Sequence, residues 1–161
     1  FQTTPSQQGY LFAIVGLGYI LGNFLTGKYT VRIGMNKMMF MGCATTILAP
    51  ASQFVLVASP IMGPLTLFGP MFLVGLGNGM SLPNATAGMM SINPKLAGTA
   101  AGLGSAIMIG GGDGLSSVAN FILSPGSTEL PLLVLMWTSV FCGLCSVIFA
   151  SHRNKKLKAA D

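Results

Sequence analysis

Apolar residues run through this chain in five long blocks, uncharged except for Asp113 in the fourth, at about 9–27, 38–58, 65–87, 96–123 and 130–150. Each approaches the roughly 20 residues that an α-helix needs to cross about 30 Å of hydrocarbon at about 1.5 Å per residue. The pattern predicts an all-α membrane protein of five transmembrane helices.

The interruptions sharpen this parse. Lys28, Arg32 and Lys37 mark a short wet loop after the first span. Ser59-Pro60 and Gly63-Pro64 break an uncharged stretch that would otherwise reach Ile92, too long for one crossing, and so predict a tight loop. Pro70 and Pro83 fall inside the third span. Each removes a backbone hydrogen bond and predicts a kink, which a membrane helix tolerates when its neighbours re-satisfy the freed groups. Asn93-Pro94-Lys95 and Ser124-Pro125-Gly126-Ser127 end the third and fourth spans, and the tail from His152 is basic.

Composition and charge agree. The 161 residues are 52% hydrophobic and 7% charged, against about 25% charged in an ordinary soluble domain. The net charge of +5 comes from Lys28, Arg32, Lys37, Lys95, Arg153, Lys155, Lys156 and Lys158 against Asp113, Glu129 and Asp161. The basic residues sit in the tail or flank apolar runs, which is a membrane topology rather than a nucleic-acid footprint. The loops after spans one, three and five hold all eight, and the other loops hold none. Because basic loops stay in the cytoplasm, the expected start is outside and the expected finish cytoplasmic, in a multi-pass membrane protein. The odd number of spans, with Phe1 rather than Met at the start, reads as a piece whose N-terminal part is missing.

Some residues stand out at membrane depth. Gly98, Gly102, Ala106, Gly110 and Gly114 recur every four residues in the fourth span, a bare face that serves either as a helix-packing seam or as a glycine-lined conduit or hinge. Asp113 is the single acid inside a span, with Ser117 and Asn120 on the same helix face. That arrangement fits a proton or cation site, or an acid kept protonated by local hydrogen bonds. Asn78, Ser81, Asn84 and Thr86 form a second polar patch around Pro83, for interhelical hydrogen bonds or for ligand contact.

Enzyme signatures fail on inspection. Cys142 and Cys145 have C-x-x-C spacing inside an apolar helix with no base or metal ligand nearby, and the single histidine, His152, lies in the tail. Gly16-Leu17-Gly18 and Gly75-Leu76-Gly77-Asn78-Gly79 match nucleotide loops only loosely, and helix packing explains them better. No enzyme activity, cofactor or metal is expected.

Three segments resemble the C-terminal half of a major facilitator superfamily transporter of the bicyclomycin- and chloramphenicol-resistance drug:H⁺ antiporter type. Gly27-Lys28-Tyr29-Thr30-Val31-Arg32-Ile33-Gly34-Met35-Asn36-Lys37 is similar to the loop signature after the eighth helix of that family. Leu82-Pro83-Asn84-Ala85, followed by Asn93-Pro94-Lys95-Leu96-Ala97-Gly98-Thr99-Ala100-Ala101-Gly102-Leu103, looks like its tenth-to-eleventh helix junction. Residues 137–156 resemble its last helix and basic tail.

The resemblance implies that the five spans are helices 8–12 of a 12-helix fold. It implies proton-coupled efflux of small organic compounds by alternating access from a bacterial inner membrane, hence multidrug or antibiotic resistance. The implied partners are a small organic substrate, protons, the lipid bilayer and the missing N-terminal half of the same chain. Asp113, Asn78, Asn84, Ser117 and Asn120 are the candidate pathway residues, and Gly27, Arg32, Gly34 and Lys37 form a conformational loop. The sequence departs from the pattern at Val31, where the family usually carries an acid, and at Asp113, where it commonly has a small or apolar residue. A membrane scaffold that transports nothing, a truncated gene product, and a subunit of an oligomeric channel are the alternative readings.

Overall fold

The computed structural model describes residues 5–57, 68–122 and 130–158. Among them there are five α-helices and no strand: α1 (Pro5–Ile33), α2 (Met35–Val57), α3 (Met71–Ile92), α4 (Ala97–Ile122) and α5 (Leu130–Lys158). A single 3-10 turn, Pro94–Leu96, joins α3 to α4. The expected proline- and glycine-rich loops at 59–64 and 124–127 lie outside the described residues.

The connections are tighter than the pattern of charges predicts. The wet loop expected around Lys28, Arg32 and Lys37 is helical except at Gly34, which alone separates α1 from α2 with φ of +90°. Lysine and arginine are good helix formers whose long stems carry charge away from the backbone, so basic residues do not require a loop. Gly34 supplies the left-handed turn that other residues enter at a cost. The third helix also sits later than its predicted span: it runs through Ile92, and Pro70 stands at its N-cap (φ −60°, ψ −24°) instead of kinking its interior. A proline there removes no intrahelical hydrogen bond.

At the other end of α3, Asn93 is extended (φ −142°, ψ 100°) and its side chain accepts from the Lys95 amide at 3.2 Å. With Pro94 starting the next turn, the chain reverses in four residues.

The central helix is α3, which packs against α1 on one side and α2 on the other. Its Gly75-Leu76-Gly77-Asn78-Gly79 segment explains why: residues two apart lie on opposite sides of a helix, so Gly75 and Gly79 bare one face and Gly77 another. Gly79 meets α1 at Tyr19, Gly22 and Asn23, and Gly75 meets Val15 and Tyr19. A Cβ built on Gly22 would stand 2.9 Å from the Gly79 Cα. On the other face, Gly77 meets Gly42 and Thr46 of α2. Partners on α1 and α3 rise together, from Gly18 with Phe72 to Thr30 with Asn84, so these helices run parallel. Partners on α2 fall as α3 rises, from Met39 with Ser81 to Thr46 with Gly77, so α2 is antiparallel to α3. The ring of Phe12 meets that of Phe68 edge-on (centroids 5.8 Å apart, 76° between planes) at the far end of the α1–α3 seam.

The remaining helices attach more loosely: α5 lies on α2, and α4 touches α3 mainly near their shared turn. By length and composition, Gly9–Ile33 is the one described stretch both long and apolar enough to count alone as a membrane span, with mean hydropathy 1.5. Trp137–Ala150 is a shorter apolar stretch. Glycine, proline and polar residues dilute the other helices, as at Pro50 and Gln53 of α2 and the Gly110–Gly114 run around Asp113 in α4.

Candidate functional site

Two polar groupings emerge, one sealed inside the α1–α3 seam and one open on α4. The sealed one begins with Pro83, which lacks an N–H and leaves the carbonyl four residues earlier, that of Gly79, without its helical donor. Thr26 of α1 fills the vacancy: its hydroxyl donates to the Gly79 carbonyl at 3.1 Å, with the Met80 carbonyl at 3.4 Å. One turn along, the Thr30 hydroxyl donates to Asn84 Oδ1 at 3.1 Å, while Asn84 Nδ2 donates to the Met80 carbonyl at 2.8 Å. Thr26 and Asn84 are 8% and 2% exposed, so both amide ends of Asn84 are spent within the protein. Of the other members of the patch, Ser81 donates to the Met39 carbonyl of α2 (3.3 Å) and Thr86 back to Leu82 (3.0 Å).

Thr26 and Thr30 were not singled out from the sequence. The available signal was their i, i+4 spacing on one helix face, opposite a proline whose freed carbonyl needs a donor. Gln53 of α2 is likewise fully buried.

The open grouping lies on α4. This helix meets α3 where Met89 covers Gly104, the Met89 Cε lying 2.8 Å from the point a Gly104 Cβ would occupy. At about 100° per residue, Asp113, Ser117 and Asn120 stand about 180°, 220° and 160° around α4 from Gly104, on the side turned away from α3. All three are exposed, and the Ser117 hydroxyl donates to the Asp113 backbone carbonyl at 2.9 Å. The Asp113 carboxylate makes no hydrogen bond or ion pair among the described residues.

Asn78 is also exposed, on the α3 face that carries Met89. Counting eleven residues, about 16 Å, along each helix from the Met89–Gly104 contact reaches Asn78 on α3 and Leu115 on α4, between Asp113 and Ser117. The structure thus puts Asn78 at the depth of the α4 polar groups but on a different face, and separates Asn84 from them.

The small residues of α4 follow the same geometry. Gly98, Gly102, Gly110 and Gly114 have open space where a side chain would begin, and Ala106 is exposed. Among the described residues no helix packs on that face; the glycine seams that are filled belong to α1, α2 and α3. In the conformational loop, Gly27 also faces open space, while Arg32, Gly34 and Lys37 are exposed at the α1–α2 corner. Among the described residues no three His, Cys, Asp or Glu side chains gather to hold a metal ion.

Comparison with known proteins places this arrangement. The Major Facilitator Superfamily profile matches residues 1–160. An uncharacterized MFS-type transporter, YceJ, of Bacillus subtilis (strain 168) is 29% identical over 122 residues, covering 76% of this chain and 30% of the relative. The chain therefore spans under a third of that relative's length. No solved structure matches. A profile match over nearly the whole chain and an all-helical fold lead to one conclusion: this membrane protein belongs to the Major Facilitator Superfamily.

Proposed function

We propose that the chain forms part of a secondary active transporter that exports small organic compounds by alternating access, coupled to proton entry. The observation that supports this most directly is the open polar face of α4, where Asp113, Ser117 and Asn120 stand opposite the Met89–Gly104 contact with α3. An ionised carboxylate facing lipid is costly, so a membrane acid belongs against a polar cavity or another protein surface. A path between two transporter halves supplies that setting near the bilayer midplane. In this reading Asp113 carries the coupling proton, while Ser117, Asn120 and Asn78 contribute hydrogen bonds to substrate. Asn84, whose amide is spent on Thr30 and Met80, serves the α1–α3 packing instead.

The α1–α2 corner acts as the conformational latch. Arg32 and Lys37, exposed on either side of Gly34, pair with a surface that approaches in one state of the cycle only. The YceJ relative, described as a transporter, supports the same class of activity.

The deciding experiment measures accumulation of chloramphenicol and of a fluorescent dye in cells expressing the full-length protein, with and without a protonophore. Lower accumulation that the protonophore abolishes, and that Asp113→Asn also abolishes, is the expected result. Accumulation unaffected by expression of the protein removes the export reading. Protonophore-sensitive export that survives Asp113→Asn removes Asp113 from the coupling.

A further inference from the structure

Outside the candidate path, the charged groups of the folded helices collect at one end and share one sign. Lys28 and Arg32 lie in the last six residues of α1, Lys37 is the third residue of α2, and Lys95 sits in the turn after α3. The hydrogen bonds from Thr30 to Asn84 and from Ser81 to Met39 tie these three helix ends together. Four cations far apart in sequence are thereby gathered on one rim. A chain that crosses on every helix returns to the same end with Arg153, Lys155, Lys156 and Lys158, which fall in the last six residues of α5.

Helix length places this charge. α1 and α5 each have 29 residues, hence are about 43 Å long, more than the roughly 30 Å of hydrocarbon and close to the 40–45 Å that includes the headgroups. Their basic ends therefore reach the headgroup layer. Lys28 is suited to it: the ammonium lies 5.9 Å from the Phe24 ring centroid and 5.5 Å from that of Tyr29, a cation held against an aromatic belt.

Among the described residues no carboxylate answers these cations. Asp113, the one acid among the described residues, is well inside α4. Among the described residues none of Lys28, Arg32, Lys37 and Lys95 forms an ion pair. Apolar side chains stand open beside the charges: Val31 next to Arg32 is 93% exposed, and Ile92 near Lys95 is 84% exposed. A phosphodiester with attached acyl chains has the matching polarity, an anion with grease directly below it.

We propose that this rim binds anionic phospholipid, whose headgroups bridge the basic ends of α1, α2 and the α3–α4 turn and brace them against one another. Binding of this kind stabilises the folded state by mass action and weakens as salt screens the exposed charges. The proposal requires that the protein sits in a bilayer and is independent of what it transports.

The test is thermal unfolding of the purified full-length protein in phosphatidylcholine vesicles, with and without about 30% phosphatidylglycerol. The anionic lipid is expected to raise the midpoint by about 5 °C. The gain should shrink at about 1 M salt, where the screening length falls to about 3 Å, and disappear in the triple variant Arg32→Gln, Lys37→Gln, Lys95→Gln. Equal midpoints in neutral and anionic vesicles overturn the proposal, as does an equal gain from inorganic phosphate alone or a gain retained by the variant. Should the variant not fold, the salt titration of the unmodified protein decides, and a gain that persists at high salt overturns it.

Discussion

Thr26 donates its hydroxyl to the backbone carbonyl of Gly79, the group that Pro83 deprives of its own helical partner. A side chain on one helix thus completes the backbone of another, and α3 runs unbroken through its proline to Ile92.

Thr26→Val keeps the shape of the side chain and deletes the donor, leaving a buried carbonyl unsatisfied at a cost of about 1–3 kcal/mol. In a Pro83→Ala background the helix regains its own N–H, so Thr26→Val should cost markedly less. Thermal unfolding of the four proteins in the cycle measures the difference. An identical cost in both backgrounds sinks the assignment.

The Gly22–Gly79 contact leaves no room for a methyl group on either side, because the atoms in the way are backbone. Gly22→Ala and Gly79→Ala should each destabilise by about 1–3 kcal/mol through overpacking. Gly16→Ala, on the same helix but facing open space, should be neutral. Comparable unfolding midpoints for all three variants would show that the seam is not close-packed.

Thr30 and Asn84 form the next link along the seam. A double-mutant cycle with Thr30→Val and Asn84→Ala should give a coupling of about 0.6 kcal/mol and no more than about 1.7, the range for hydrogen bonds between membrane helices. Zero coupling would mean that the two side chains act separately.

The two glycines of the α1–α2 corner separate by mechanism. Gly34 has φ of +90° in open space, so Gly34→Ala meets backbone strain of about 1–2 kcal/mol with no clash. Gly34→Asn should be milder, since asparagine enters positive φ more readily. Gly27→Ala lies in an open helical position and should be tolerated. Equal stability of Gly34→Ala and Gly27→Ala would contradict the strained corner.

A wet path along α4 predicts chemistry as well as transport. Cysteine at Ser117 or Asn120 of the full-length protein should react with a membrane-impermeant maleimide, whereas cysteine at Thr26, 8% exposed in the seam, should not. Protection of both α4 positions would place that face in lipid or in a dry interface.

The five helices and their order were legible because apolar runs of helix length with almost no charge admit few other structures. Which face meets which neighbour was far less so. The regular spacing of Gly98, Gly102, Ala106, Gly110 and Gly114 advertised a bare face on α4, but spacing says only that a helix can be approached closely, never that one is there. The occupied seams use shorter signals, Gly18 and Gly22 against Gly75 and Gly79, whose pairing depends on two helices more than fifty residues apart. Asn84 shows the same limit. A polar residue one position past a proline reads equally as ligand contact or as interhelical glue, and only the position of Thr30 distinguishes them.

The parallel pairing of α1 with α3 also dictates an order of events during synthesis. Hydrogen-bonded partners across that seam are 53 or 54 residues apart in the chain. At about 5–20 residues per second, the ribosome delivers the second half of the seam about 3–10 s after the first. Through that interval α1 has its glycine notch and two threonines uncovered, with α2 emerging in between. Assembly of this end of the protein is therefore timed by translation, and the newborn α1 waits with that face bare until α3 arrives.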